Sequence, residues 1–202
     1  MQIIRYNSLT AAPWKNGGGV TREAIRMPAG TDSFDWRVSF AQIDTSGPFS
    51  DFSGYQRHMV LLRGAGVRLE FAGGKHTTLL KIGDSAHFDG AVATHGKLLD
   101  GSCIDLNVIV SKALHAAKAR VMRVNGKEDW PALVGQTTLA IAIDGGVAVQ
   151  DVRGESATLG EWDLVVGNVR ALCASRPSRV FIAGIVDNRA TNRSPGEIDV
   201  DD

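Results

Sequence analysis

The chain has 202 residues, with 22 basic and 22 acidic side chains, a formal charge of zero, five His, 23 Gly, six Pro and two Cys. Zero net charge lacks the basic excess that neutralising phosphates requires, so no nucleic-acid partner is expected. No stretch approaches the ~20 consecutive apolar residues of a spanning helix, and residues 1–10 carry neither a basic nor an apolar signal region. The expectation is a cytoplasmic protein with no membrane partner.

Gly, Pro, Asn and Asp punctuate the chain every several residues, and the runs between them are short, rich in Val, Ile, Leu and Phe, and often alternating. That pattern predicts strands, at residues 20–26, 36–43, 58–62, 67–71, 85–88 and 104–110, then 139–143, 147–152, 163–166 and 180–186. The fold class is all-β, a sandwich or barrel. Residues 111–120 have helix-forming composition behind Ser111 as a candidate N-cap, and read as a helix or a linker. Beyond residue 187 the apolar pattern is lost, so 188–202 read as a flexible tail.

The halves resemble one another. Residues 58–69 match 139–149, Leu80-Lys-Ile-Gly-Asp84 matches Ala157-Thr-Leu-Gly-Glu161, and 104–110 matches 180–186. The repeated order is strand, Gly turn, strand, loop, Gly-acid step and returning strand, the order of a Greek-key or jelly-roll unit present twice.

Odd polar residues interrupt the β pattern mainly in the first half. Pro13-Trp-Lys-Asn-Gly-Gly-Gly-Val-Thr-Arg-Glu23 brackets three glycines with the donors Lys15, Asn16 and Arg22, which suits an anion or a plain turn. Alternation in Trp36-Arg-Val-Ser-Phe40 puts Arg37 and Ser39 on the face opposite Trp36, Val38 and Phe40. The apolar run 103–110 carries Asp105 and Asn107 on one face, and buried groups of that kind require partners, for which Arg22, Arg37 and Arg57 are candidates. His58, His76, His87, His95 and His115 contain no H-x-H pair, so no metal and no cofactor is expected. Cys103 and Cys173 are far apart and read as small buried hydrophobes.

Trp14-Lys-Asn-Gly-Gly-Gly-Val-Thr-Arg-Glu23, Trp36-Arg-Val-Ser39, Gly47-Pro-Phe-Ser50, Arg57 with Leu61-Leu62-x-Gly64-x-Gly66, and Asp105-Leu-Asn107 together resemble the HutD/Ves family. Gln56 and Ser53 depart from its pattern, which often has an acid and a Pro there. The resemblance implies a bicupin, two jelly-roll (cupin) barrels in one chain: residues 1–112 with a ligand pocket, then 113–187, then the tail. It also implies that a small formylated or formimino glutamate-like carboxylate binds without metal, in a protein that governs histidine utilisation or a stress response. Carried over by position, the ligand-binding residues are Lys15, Asn16, Arg22, Glu23, Arg37, Ser39, Arg57, Asp105 and Asn107. In this scheme Arg57, Arg22 and Lys15 bind a small anionic metabolite, and Asn16, Ser39 and Asn107 bond its neutral end. Asp105 and Glu23 fix the arginines. Two alternatives stand beside it: a metal-independent isomerase or deformylase using the same pocket, and a second half that pairs subunits as a homodimer through Trp130 and Trp162.

Overall fold

The computed structural model describes residues 1–31, 33–131 and 135–186, with only the backbone at 115–118; the tail expected at 188–202 lies outside the described residues. In chain order the strands are β1 (Gln2–Ile4), β2 (Ala12–Pro13), β3 (Gly19–Met27), β4 (Trp36–Ile43), β5 (Gly47–Pro48), β6 (Tyr55–Arg63), β7 (Val67–Phe71), β8 (His76–Leu79) and β9 (Ser85–Asp89). They continue with β10 (Thr94–Leu98), β11 (Cys103–Ser111), β12 (His115–Asp129), β13 (Gln136–Ala142), β14 (Val147–Asp151), β15 (Ser156–Leu159), β16 (Leu164–Gly167) and β17 (Val169–Val186). The all-β class is as expected, and each strand predicted from alternation is present.

Three antiparallel sheets result. One runs β2-β3-β4-β11-β6-β9, a second β5-β10-β7-β8, and a third β1-β16-β13-β17-β14-β15 with β12 alongside β17. Side-chain alternation divides the first sheet between two environments. Trp36, Val38, Phe40, Val60, Leu62, Leu106, Val108 and Val110 pack on Leu139, Ile141, Leu164 and Phe181 of the third sheet, forming the largest core. On the opposite face Ile43, Met59, Leu61 and Cys103 meet Val67, Leu69 and Leu79 of the second sheet. A third core lies within the second half, around Trp130, Val149, Leu172, Val180 and Ile182. Strand β1, though it opens the chain, pairs with β16 in the sheet of the second half.

The helix reading of residues 111–120 is corrected. A turn at Ser111 leads directly into β12, which pairs with β17 from His115↔Val186 to Asp129↔Ala171. Helix-forming composition yields here to a long partner strand. Trp130 and Trp162, offered as subunit contacts, are buried in cores, and Cys173 is exposed rather than buried.

The internal repeat is visible in the hydrogen bonding. Gly83 N–H donates to Leu61 O (2.8 Å) and Leu61 N–H to Asp84 O (2.9 Å); in the second half Trp162 N–H donates to Ala142 O (2.6 Å) and Ala142 N–H to Asp163 O (3.1 Å). Asp84 therefore corresponds to Asp163, not to Glu161 as the sequence match has it. The backbone at this step is left-handed in both halves, φ +94° at Gly83 and +63° at Trp162. A bulky residue is strained there by about 1–2 kcal/mol. Packing holds it: the Trp162 ring lies 4.8 Å from Tyr6 and 4.5 Å beneath the Arg63 guanidinium.

Candidate functional site

A cavity of about 530 Å³ opens into the first half, between the first and second sheets. That size lies within the range of small-molecule sites. Three central strands supply its polar wall. On β11, Ile109 pairs with Arg37 of β4 and Arg57 of β6; two residues back along the strand Asn107 pairs with Ser39 and Met59; two further back Asp105 pairs with Ala41 and Leu61. Strict alternation turns all of these off the central core; Met59 and Leu61 pack on the second sheet and the rest line the cavity.

Arg57 is 6% exposed and Asp105 1%. The Arg57 Nη2 donates to Asn107 Oδ1 (2.7 Å), and the Asn107 amide donates in turn to Asp105 Oδ1. The carboxyl thus holds the amide, and the amide holds the guanidinium. Aromatic rings take the place of water around both cations. The Arg57 guanidinium lies 5.1 Å from the Phe49 ring, 5.3 Å from Phe52 and 5.1 Å from Phe88; that of Arg37 lies 5.4 Å from Phe34 and 5.1 Å from Phe52. Phe52 is shared between them. Nε of each arginine is buried with no hydrogen-bond partner among the described residues, and buried donors of this kind are costly unless something accepts from them.

Burial dominates the electrostatics. It lowers Arg57 to about 10 against the opposing pull of Asp105, with Arg37 lowering it further, and it lowers Arg37 against the pull of Glu23. It pushes the Asp105 carboxyl up to about 7, against the favourable charge of Arg57. His58, stacked on His87 at 4.2 Å, is lowered to about 4 by burial and then by His87; its ring lies on the far face, toward Phe181.

A stability prediction follows from Asp105. Its folded pKa lies above the unfolded carboxylate value near ~4, so ionisation opposes folding: stability is greatest below that value and falls as pH rises toward about 7. Asp105→Asn is expected to raise stability at alkaline pH by on the order of 2 kcal/mol, roughly 4–8 °C in thermal midpoint, with the gain vanishing near pH ~4. Melting curves of both proteins across that pH range check it; a variant less stable at alkaline pH would refute it.

The structure gathers seven of the nine residues that sequence singled out. Lys15, Asn16, Arg37, Ser39, Arg57, Asp105 and Asn107 line the cavity. Arg22 does not. It pairs with Phe40, on the central-core face of β3, and its guanidinium lies 5.7 Å from the Tyr6 ring. Glu23 is exposed outside the cavity; its carboxylate grips Arg26 (2.8 Å) and reaches Arg37 only at 3.8 Å. The role of fixing arginines thus falls to Asp105 through Asn107. The triple-glycine loop spends its donors internally: Gly17 N–H bonds Trp14 O (3.0 Å) and Gly18 N–H bonds Asn16 Oδ1 (3.0 Å). It is a turn, with φ +70° at Gly17, that carries Lys15 and Asn16 to the rim. Sequence reasoning missed Trp14, Phe49 and Phe52 as cavity residues; the only signal was a pair of phenylalanines three apart in a polar loop. Among the described residues no group of three or more His, Cys, Asp or Glu is placed to hold a metal ion, and no helix is long and apolar enough to cross a membrane.

A family model described as HutD matches residues 6–180, a span that includes all nine of those residues. The chain belongs to the HutD family. An uncharacterized 21.2 kDa protein in the hutC 3′ region of Pseudomonas putida is 36% identical over 164 residues, 81% of this chain and 84% of that one. Protein Ves of Citrobacter koseri is 38% identical over 122 residues, 60% of this chain and 63% of its own length. Among solved structures, HutD from Pseudomonas fluorescens SBW25 in a formate condition superposes with a TM-score of 0.73 at 33% identity, covering 91% of this chain and 98% of that one. A conserved protein of Pseudomonas aeruginosa PAO1 gives 0.82 at 32% identity, covering 92% and 98%. At 10% identity, oxalate decarboxylase of Lactobacillus farciminis gives 0.64 over 96% of this chain and 91% of that one. That likeness speaks to fold alone: the chain has an all-β, cupin-like barrel fold.

Proposed function

We propose that this HutD-family chain is a bicupin whose first barrel binds a small anionic metabolite, a formylated or formimino glutamate-like carboxylate, and thereby modulates histidine utilisation. The division is 1–112 and 113–187, with β1 lent to the sheet of the second barrel. One observation carries the ligand reading: Arg37 and Arg57 flank Ile109 in an aromatic-lined cavity, each with a buried, unpartnered Nε. A carboxylate is the acceptor that matches a guanidinium in shape and charge, and such charge-assisted bonds are strong. Lys15 at the rim adds a third cation against the single carboxyl of Asp105. The relative from the hutC 3′ region and the HutD structure in a formate condition agree with this chemistry.

Calorimetry with N-formylglutamate, glutamate and formate tests it. The expected result is saturable heat with N-formylglutamate, weaker with glutamate, and weakest with formate, which reaches only one guanidinium. No heat with any of the three would overturn the reading. A second reading, general acid catalysis on the same ligand, is favoured by the near-neutral pKa of Asp105. Turnover of N-formylglutamate in many-fold excess over protein would establish it.

A further inference from the structure

We propose that Asp105, a buried residue of the cavity wall, sets the class of ligand. It acts as a neutral carboxylic acid, donating its O–H to an uncharged carbonyl oxygen of the bound anion, so that ligand and one proton are taken up together. The inference rests on the anion-binding reading above and specifies what the ligand must present to Asp105.

The geometry is that of a carboxyl separated from its natural counter-ion. Asp105 lines the cavity yet is 1% exposed, so water does not stabilise its charge. Its Oδ1 accepts from the Asn107 amide, while the Arg57 guanidinium donates to Asn107 and not to Asp105. The second oxygen, Oδ2, has no hydrogen bond among the described residues. Titratable and charged groups facing it are few. Arg57 on β6 favours ionisation, Arg37 on β4 and Lys15 line the same cavity, and Cys103 on its own strand is held as a neutral thiol by burial, with Asp105 and Asp44 adding to that effect. The elements packed beneath, β7 and β8, present Val67, Leu69 and Leu79.

In the free protein this environment already holds the carboxyl near neutrality. A ligand carboxylate on Arg37 and Arg57 adds a second negative charge and engages the cation that had favoured ionisation. Both changes favour the acid form further. An acid O–H is a donor, so it accepts a carbonyl and rejects a cationic amidinium, which would require ionised Asp105 and release a proton. Of the two ligand types proposed above, the formyl carbonyl fits and the formimino group does not.

The test is calorimetry on the full chain with N-formylglutamate, at about pH 8, in two buffers of different ionisation enthalpy that carry neither carboxylate nor phosphate. Expected is uptake approaching one proton per ligand bound, with affinity falling up to about tenfold for each pH unit above neutrality. Asp105→Asn is expected to lose the proton uptake and the fall in affinity above neutrality, because an amide N–H donates without titrating. Should that variant not fold, the infrared difference spectrum of the wild type on binding is expected to gain a protonated-carboxyl C=O band. Binding without proton uptake, proton release, or tighter binding of formiminoglutamate would overturn the inference and leave the anion reading intact. Failure of the wild type to bind N-formylglutamate would overturn the inference, and failure to bind glutamate and formate as well would remove the anion reading with it.

Discussion

Arg57→Ala is expected to weaken binding of N-formylglutamate by on the order of 100-fold, about 3 kcal/mol, read directly as a calorimetric dissociation constant. The guanidinium is held by Asn107, stacked against Phe49, Phe52 and Phe88, and almost wholly buried. Its loss removes a charge-assisted contact and leaves Asn107 Oδ1 with no donor from β6. Arg57→Lys is expected to recover little of the affinity. An ammonium has neither the planar fork that serves ligand and Asn107 at once nor the flat face that stacks on three rings. Affinity unchanged in Arg57→Ala would place the ligand elsewhere.

The largest stability effect is expected at Phe40. This side chain is 2% exposed in the core between the first and third sheets, with the Tyr6 ring at 5.0 Å. Phe40→Ala removes a large ring from a site bounded by two sheets, neither of which can collapse into the space without sliding on the other. The expected loss is ~3–5 kcal/mol, about 10 °C in thermal midpoint. Because the same core includes Val38, Leu106, Leu139 and Phe181 from both halves, a single urea transition with an unchanged slope is expected for both proteins. A loss below about 1 kcal/mol, or a second transition, would show that the halves do not depend on this contact.

Much of the cavity wall was legible because strand parity is strict. Knowing only that 36–43 and 103–111 are strands, one face of each must carry Arg37 and Ser39, or Asp105 and Asn107, and the apolar alternates define the core side. Arg22 was grouped with them by its place in a motif, and the same parity rule would have corrected it: Thr21 lines the cavity, so its neighbour cannot. Phe49 and Phe52 sit in loop structure, where no period tells inward from outward. Residues 115–120 show the limit of local propensity, since the distant partner strand β17 sets their conformation. The left-handed backbone at Trp162 had no sequence signal at all, because an aromatic side chain argues against it.

The register that aligns the two halves also explains their inequality. Leu61 pairs with Asp105 as Ala142 pairs with Val180; Met59 with Asn107 as Ala140 with Ile182; and Arg57 with Ile109 as Thr138 with Gly184. Where the first half has carboxyl, amide and guanidinium, the second has valine, isoleucine and threonine. Among the described residues, the matching wall of the second half faces a core of hydrocarbon, with Val149, Leu172, Val180 and Ile182 packed together. One ligand per chain is therefore the stoichiometry expected of the proposed site, and calorimetric saturation at two would place a second site outside this wall.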